Sequence, residues 1–357
     1  VLRHAESKSN RFRRDAWLEV NLSNLEFNLK KLYSEFQKPL IPVLKADAYG
    51  HGADVLLELL DSYDFIYAYA VASIDEALNL REWTKRKIIV LGITPQWALK
   101  TAIDNDIDIT IADYTTAFEY NHLAFEQKKI ANIHLKIDTG MNRIGFKSAN
   151  DLEKLIALEN LEIDTAYTHM ASANDDFTLE QETLFYSLIQ SYDFKIHPAA
   201  SAAARNLKNQ NYDFVRVGIE LYGQENLDLK PLLSLFARVS FVKDIKAQES
   251  VSYSRTWFAQ EDTKIITLPL GYADGVHRLM SNKIKAYYKG TLLEQVGTIT
   301  MDQMMFACPQ SLDIKVGDLV ELFGENIAIG SWAQAAQTIS YEIVTSLNLR
   351  LPKTYKR

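Results

Sequence analysis

The stretch IPVLKADAYGHGA occupies residues 41–53, and its reading orders the rest of the chain. Ile41, Pro42, Val43 and Leu44 read as a short buried strand. Lys45 follows at once, and then come small residues that turn into a helix at about His51. A buried ammonium is costly unless it is paired or neutralised. Either Lys45 emerges at the surface where the strand stops, or its awkward position is its use.

Similar runs recur along the chain. Strands are expected at 40–44, 66–72, 87–91, 107–111, 133–137, 163–168, 194–197 and 214–217. Between them lie helical patterns such as GADVLLELL, SIDEALNLREW, YTTAFEYNHLAFEQKK, SANDLEKLIALE and TLEQETLFYSLIQSY. Ser73 with Glu76 three residues on has capping-box spacing, and Ser23 is a candidate cap for an earlier helix, SNLEFNLKKLYSEF. Strands that each lead into a helix predict an α/β fold, a (β/α)8 TIM barrel. The competitor is an open doubly-wound sheet. It is weakened because no Gly-x-Gly-x-x-Gly follows the first strand.

After about residue 234 the texture changes. ARVSFVKDI, TKIITLPL, KIKAYYKGTLLEQVGTI and DIKVGDLVELFG read as strands joined by turns, and SWAQAAQT and YEIVTSLNL as two late helices. The expected division is a flexible basic arm at 1–14, a barrel at 15–235 and a C-terminal mostly-β domain at 236–357.

Bulk properties narrow the function. Net charge is −7, from 39 basic and 46 acidic side chains, which argues against a nucleic-acid partner held by charge. Cys308 is the only cysteine, so neither an internal disulfide nor a cysteine metal site is available. No apolar run approaches the roughly 20 residues of a membrane span, and the basic start VLRHAESKSNRFRRD has no apolar secretory core. A cytoplasmic protein without a membrane partner is expected.

Chemistry in such barrels sits at the C-terminal ends of the strands. The first expected strand ends at Lys45. The fifth carries Lys136 and runs on to Asp138 and Arg143. The sixth ends at His169, the seventh at His197, and the eighth carries Arg216. Any one of these is plausible as an ordinary solvated or paired residue, but so many at corresponding positions indicate a site. The cluster is rich in nitrogen and poor in carboxylate, unlike a magnesium site. His169 and His197 lack the HxH or HExxH spacing of a zinc pair, so no metal is expected.

A cationic mouth binds an anion, and the segments after strands 7 and 8 are a common phosphate site in these barrels. Here they read HPAASAAARN and RVGIELYG, offering Ser201, Gly218 and Ile219. A lysine desolvated near other cations has a lowered pKa, and its neutral amine can bond an aldehyde. A phosphate-bearing aldehyde that takes up a lysine in this way is pyridoxal 5'-phosphate.

The chain resembles the alanine racemase family of pyridoxal-phosphate enzymes over nearly its whole length. The motifs that carry the resemblance are VLKADAYGHGA, HLKIDTGMNRIGF, THMASAND, SAAARN, VRVGIELYG, VSYSRTW, LPLGYADGVHR and VGTITMDQMM, in that order. The resemblance implies a barrel followed by a β domain, and a homodimer with active sites shared between subunits. It implies that Lys45 bonds the cofactor and acts as one acid/base, with Tyr253 of the other subunit as the second. Arg216 would face the pyridine nitrogen, with His197 orienting it and His169 beside Tyr253. Arg143 and the backbone N–H of Met301 would hold the substrate carboxylate, and Lys136, often carbamylated in this family, would position Arg143. Tyr49, Ser201, Gly218 and Ile219 would hold the phosphate, and Tyr272 and Asp302 would line the way in. The implied activity is interconversion of L- and D-alanine, supplying D-alanine for peptidoglycan.

Four positions depart from the family pattern. Ala200 stands where an asparagine is usual, Leu349 where a tyrosine is usual, and Thr298 and Thr300 where arginine and cysteine are commoner. Leu349 removes a phenol that crowds the substrate side chain, which raises the expectation of tolerance for serine. A fold-related decarboxylase is the rival within the fold, though those place a carboxylate where Arg216 stands. A cofactor-binding protein without turnover is a further rival, but single-barrel proteins of that kind lack the domain carrying Tyr253 and Met301.

Overall fold

In the computed structural model residues 13–224, 228–347 and 349–357 are described. By contacts the described residues form two units: Asn28–Ala48 with Leu56–Leu221, and those up to Phe27 with Tyr49–Val55 and those from Tyr222 on.

The first unit is the barrel. Its parallel strands are β2 (Leu40–Pro42), β3 (Ala68–Val71), β4 (Lys87–Ile93), β5 (Asp108–Ile111), β6 (Ala131–Lys136), β7 (Leu161–Tyr167) and β8 (Val215–Val217); β1 (Ala16–Asn21) belongs to the second unit. β3 to β7 pair in sequence order, and β2 pairs with β8 in the register Ile41↔Arg216. Single bridges close the ring: Leu40↔Ile66 and Val43↔Ala70 on one side, Ala166↔Ile196 and Ala200↔Arg216 on the other. β2, β3, β5 and β8 are buried along their whole length, as parallel strands covered on both faces must be.

The strand expected at 194–197 is reduced to the bridge at Ile196. Asp213 explains this. Its carboxylate accepts the Ile196 N–H at 2.7 Å and its own N–H donates to Ile196 O at 2.9 Å, so the backbone is satisfied without a longer ladder. Pro198 then supplies no donor to continue it. Ser73 caps the helix Ile74–Arg81 as expected, accepting from the Glu76 N–H at 3.3 Å. Glu76 does not return to the Ser73 N–H; its carboxylate accepts from Ala72 N at 2.7 Å and from Ala46 N at 2.8 Å.

That second bond bears on the opening stretch. The helical turn Lys45–Gly50 begins at the lysine rather than at His51, and it is left-handed. Ala46, Asp47, Ala48 and Tyr49 have φ between 53° and 55°, and Gly50 has φ 80°. This conformation costs roughly 1–2 kcal/mol per L-residue and normally occurs singly. A right-handed helix, Ala53–Leu60, follows.

The second unit is built on a nine-stranded sheet. Its strands are β1 (Ala16–Asn21), β9 (Leu233–Arg238), β10 (Phe241–Ile245), β11 (Thr263–Leu268), β12 (Lys285–Tyr288), β13 (Thr291–Val296), β14 (Met304–Cys308), β15 (Leu319–Phe323) and β16 (Lys353–Lys356). Their order is β10-β11-β14-β13-β12-β15-β9-β1-β16. β1 therefore does not belong with the barrel, as a boundary at 235 would have it: it lies between β9, antiparallel, and β16, parallel. β1 ends at Asn21, whose side chain accepts from Asn24 N at 3.1 Å, so Asn21 and not Ser23 caps the helix Leu22–Phe36. The two late helices are present, at Gly330–Ala336 and Ser340–Ser346.

Most of the expected basic arm, residues 1–12, lies outside the described residues. Arg14, assigned to that arm, instead reaches the fully buried Asp274 at 2.6 Å. Among the described residues no helix is long and apolar enough to cross a membrane.

Candidate active site

Nine of the expected site residues lie in the barrel unit, and six of them are brought together: Lys45, Lys136, Arg143, His169, His197 and Arg216. Arg216 is buried on β8 and is the hub. Its Nη1 donates to His197 Nδ1 at 2.7 Å and also to the His197 carbonyl. Its Nη2 donates to Thr168 O at 2.9 Å and meets His169 Nδ1 at 3.3 Å. Tyr167 was not picked out from the sequence, yet it underlies the group. Its ring stacks on His197 at 4.7 Å, and both Arg216 Cζ and Lys136 Nζ lie over it, at 5.2 and 5.4 Å. The signal for it was an aromatic at the end of a barrel strand, two residues before His169.

Electrostatics follow from burial and from cations facing one another. Burial, then Arg143, lowers the Lys45 amine below its ordinary value, while Glu76 opposes the shift. Burial and the nearby Arg216 bring Lys136 down to about 7. Its Nζ donates to Ile137 O at 2.8 Å. His169 falls to about 3, through burial and then Arg216, Arg143, Lys136 and Lys45, and buried His197 is lowered well below the ordinary histidine value. Both histidines are thus neutral near pH 7. Burial lowers Arg216 only to about 10, so it stays charged.

Arg143 is exposed on the loop after β6. That loop is closed by the Ile137↔Phe146 bridge and by Gly145, where a Cβ would stand 2.6 Å from Asp138 N. Asp138 accepts from Gly140 N and Asn142 N, both at 3.0 Å, and lies 3.6 Å from Lys147. Burial raises its pKa, but those donors outweigh burial and hold it below the usual carboxylate range. The expected phosphate-side residues Ser201, Gly218 and Ile219 belong to the same unit, tied to Arg216 by the Ala200↔Arg216 bridge. Ala200 sits at the cap position of the turn Ser201–Ala204 and provides no side-chain cap. Gly218 O accepts from Leu221 N at 2.9 Å, starting the turn Ile219–Tyr222.

Tyr49, Tyr253, Tyr272, Met301 and Asp302 lie in the other unit. Tyr49 is buried, its ring 5.1 Å from Tyr222 and 6.2 Å from Tyr341. Tyr253 is 71% exposed. It stands on a strained turn in which Ser252, Ser254 and Arg255 have φ of 67°, 61° and 48°. The turn is anchored by Val251, buried with Ile245, Ala259, Ile265 and Val296. It is clamped by Thr298, whose hydroxyl donates to Tyr253 O at 2.9 Å while Ser252 Oγ donates to Thr298 O at 2.6 Å. Thr298 is thus a loop anchor, a role invisible in the sequence.

Met301 and Tyr272 are brought together: Tyr272 N donates to Thr300 O and Ala273 N to Met301 O, each at 3.0 Å. Gly271 permits this, since a Cβ there would lie 2.1 Å from Thr300 O. Thr300 closes its own turn, donating to Gln303 O at 2.8 Å. Asp302 pairs with Arg350 at 2.7 Å, beside the exposed Leu349.

A neutralisable lysine among fixed cations and neutral imidazoles, with its acidic neighbour Glu76 already engaged by the Ala46 and Ala72 N–H groups, fits a carbonyl compound bearing negative charge. A (β/α)8 barrel that carries such a group, joined to a β domain that holds an exposed tyrosine, defines the two-domain barrel class of amine-handling enzymes. The sequence model described as alanine racemase, N-terminal domain, matches residues 20–226, and that of the C-terminal domain matches 232–355. The chain belongs to the alanine racemase family. It is 35% identical to alanine racemase 1 of Oceanobacillus iheyensis, covering 96% of this chain and 98% of that one. The structure of alanine racemase from Clostridium difficile 630 superimposes with TM-score 0.88 at 31% identity over 97% of each chain. That of Bartonella henselae alanine racemase with covalently bound pyridoxal phosphate gives TM-score 0.88 at 27% identity, over 96% of this chain and 99% of that one.

Proposed function

We propose that the protein interconverts L- and D-alanine with pyridoxal 5'-phosphate, using Lys45 and Tyr253 as its two proton carriers. The observation that carries this reading is the Lys45–Arg216–His197–His169 group at the barrel mouth, in a chain of the alanine racemase family. When bound, pyridoxal phosphate supplies an aldehyde for amines and a ring that draws electrons away from the substrate Cα.

The chain's own residues do the rest. Lys45 Nζ, its pKa lowered by burial and by Arg143, reaches the neutral form more readily than an exposed lysine, and would bond the aldehyde and hold or release a proton. The Tyr253 hydroxyl is the second carrier, and a proton taken at one atom and returned from the other inverts Cα. Arg216 stays charged and only donates, so an aromatic nitrogen facing it remains unprotonated. With Arg216 so placed, the electron pull of a bound ring would be weaker and side reactions would be restrained. Arg143 and the Met301 N–H hold the substrate carboxylate. Ser201, Gly218, Ile219 and Tyr49 would hold the phosphate, and Tyr272 and Asp302 would line the way in.

Lys136, at about 7, has the neutral amine that carbamylation requires, and in that form would carry negative charge toward Arg143. The exposure of Tyr253 supports a homodimer in which it serves the partner's site. We place the enzyme in the cytoplasm, making D-alanine for peptidoglycan.

The test is to incubate the protein and pyridoxal phosphate with L-alanine and, separately, with L-serine, and to follow the D-enantiomers by chiral chromatography. D-alanine forming faster supports the reading, and D-serine forming faster makes Leu349 the leading cause of a shifted preference. No D-product with cofactor bound contradicts it.

A further inference from the structure

We propose that Thr165 and His134 are positioning residues that hold the His197 ring by its Nε2–H and, through it, the seat of Arg216. The inference rests on the role given to Arg216 above.

The barrel core holds an unbroken chain of polar contacts beneath Arg216. His197 Nε2 lies 2.9 Å from Thr165 Oγ1, and Thr165 Oγ1 lies 2.6 Å from His134 Nδ1. His134 Nε2 then faces Asp108 Oδ2 at 3.3 Å and Asp164 Oδ2 at 3.8 Å. His197, Thr165 and His134 are fully buried. The two ends assign every proton between them. A guanidinium has donors only, so His197 Nδ1 accepts from Arg216 and the imidazole, being neutral, carries its hydrogen on Nε2. That hydrogen goes to Thr165 Oγ1, whose own proton goes on to His134 Nδ1. At the far end the carboxylate oxygens of Asp108 and Asp164 face Nε2 as acceptors, which places the His134 hydrogen there. Both ends demand the same direction, from Arg216 towards Asp108 and Asp164.

The backbone is shaped for this chain. The β6–β7 register runs Ile133↔Ile163 and then His134↔Thr165, so Asp164 is an extra residue, a bulge in a parallel pair. Strict alternation would turn Asp164 and Thr165 to opposite faces. The bulge re-aims the strand so that both side chains meet His134.

Asp108, His134 and Asp164 also place one ligand atom each within 4.8 Å of one another, as a metal seat would. Asp164, however, already binds Lys87 Nζ at 2.5 Å and the Tyr67 hydroxyl. Asp164 is therefore held as an acceptor at the foot of the chain.

The test uses the pyridoxal-phosphate-loaded enzyme labelled with 15N at histidine, with long-range 1H–15N correlation spectra reading which ring nitrogen is protonated. The wild type is expected to show Nε2–H at His197 and at His134. Thr165→Val keeps the shape but removes the hydroxyl. It leaves the His197 Nε2–H without its acceptor, and is expected to shift that resonance away from its wild-type hydrogen-bonded position and to lower racemisation by about 10-fold or more, the usual scale for a lost orienting partner. Thr165→Ser is expected to restore both. Nδ1–H at His197 in the wild type overturns the proposal, as does a valine variant with wild-type spectrum and rate. The wild-type spectrum decides the matter even where the valine variant does not fold. A wild-type protein that inverts no amino acid refutes the racemase reading, while its spectrum still judges this one.

Discussion

The barrel mouth and the Tyr253 turn carry the two proposed proton carriers, and they are built by opposite means. At the mouth, burial and mutual repulsion of cations lower Lys45, Lys136 and His169, and a stacked tyrosine and a buried arginine hold the group rigid. The Tyr253 turn is strained and exposed, and is fixed by two hydroxyl clamps and a buried valine. One region tunes chemistry by environment, and the other presents an exposed phenol in a fixed place. The common element is backbone strain, since Lys45 opens a left-handed turn and Tyr253 sits among left-handed serines. Strain of this kind persists only where its surroundings over-determine it.

Removing each carrier separates the regions most sharply. Lys45→Ala is expected to lower D-alanine formation by at least about 10⁴-fold, since covalent anchor and proton carrier go together. Tyr253→Phe is expected to cost about 10²–10³-fold in inversion, as a single acid/base does. In D2O that variant should still exchange the α-hydrogen of one alanine enantiomer, seen by mass spectrometry. Equal loss of exchange and inversion would break the division of labour.

Glu76 sharpens the comparison at the strained turn. Glu76→Gln keeps an acceptor but withdraws a charge from the Ala46 N–H and from Lys45. Racemisation is expected to fall about 10-fold, with the pH at which Lys45 becomes active moving down, because the carboxylate now raises that pKa.

Lys136 predicts a pH effect on stability. Between about 7 and the ordinary lysine value of 10.5 the native state has released a proton that the unfolded chain keeps. Stability therefore rises with pH across that window. In bicarbonate-free buffer Lys136→Met should flatten the rise in denaturant titrations. The smallest effect is at Leu349, where Leu349→Tyr should add one hydrogen bond, worth roughly 0.5–1.5 kcal/mol, and lower the serine-to-alanine rate ratio. An unchanged ratio would remove Leu349 from the account of specificity.

The mouth was legible because its residues end buried apolar strands, where a charged side chain is conspicuous. Lys45, Lys136, His169, His197 and Arg216 all stand out in this way. Thr165, His134 and Asp164 were not, because a bulge changes which side chains face inward without changing composition. β1 alternates buried and half-buried residues but runs straight into a helix that drew the reading away. β16, KTYK, carries no apolar signal and is a strand only because β1 pairs with it. The left-handed turn was hidden because nothing in ADAYG departs from ordinary helix or loop residues. Thr298 shows the same limit, since its clamp on Tyr253 spans 45 residues of sequence.

The central claim, that one catalytic centre draws Lys45 from one chain and Tyr253 from its partner, is tested by mixing. Lys45→Ala and Tyr253→Phe chains, each nearly inactive alone, would be co-expressed, purified together with pyridoxal phosphate and assayed for D-alanine. In a mixed dimer one of the two sites regains both residues, so the account predicts recovery to about a quarter of wild-type activity with random pairing. A mixture as inactive as its components would contradict it.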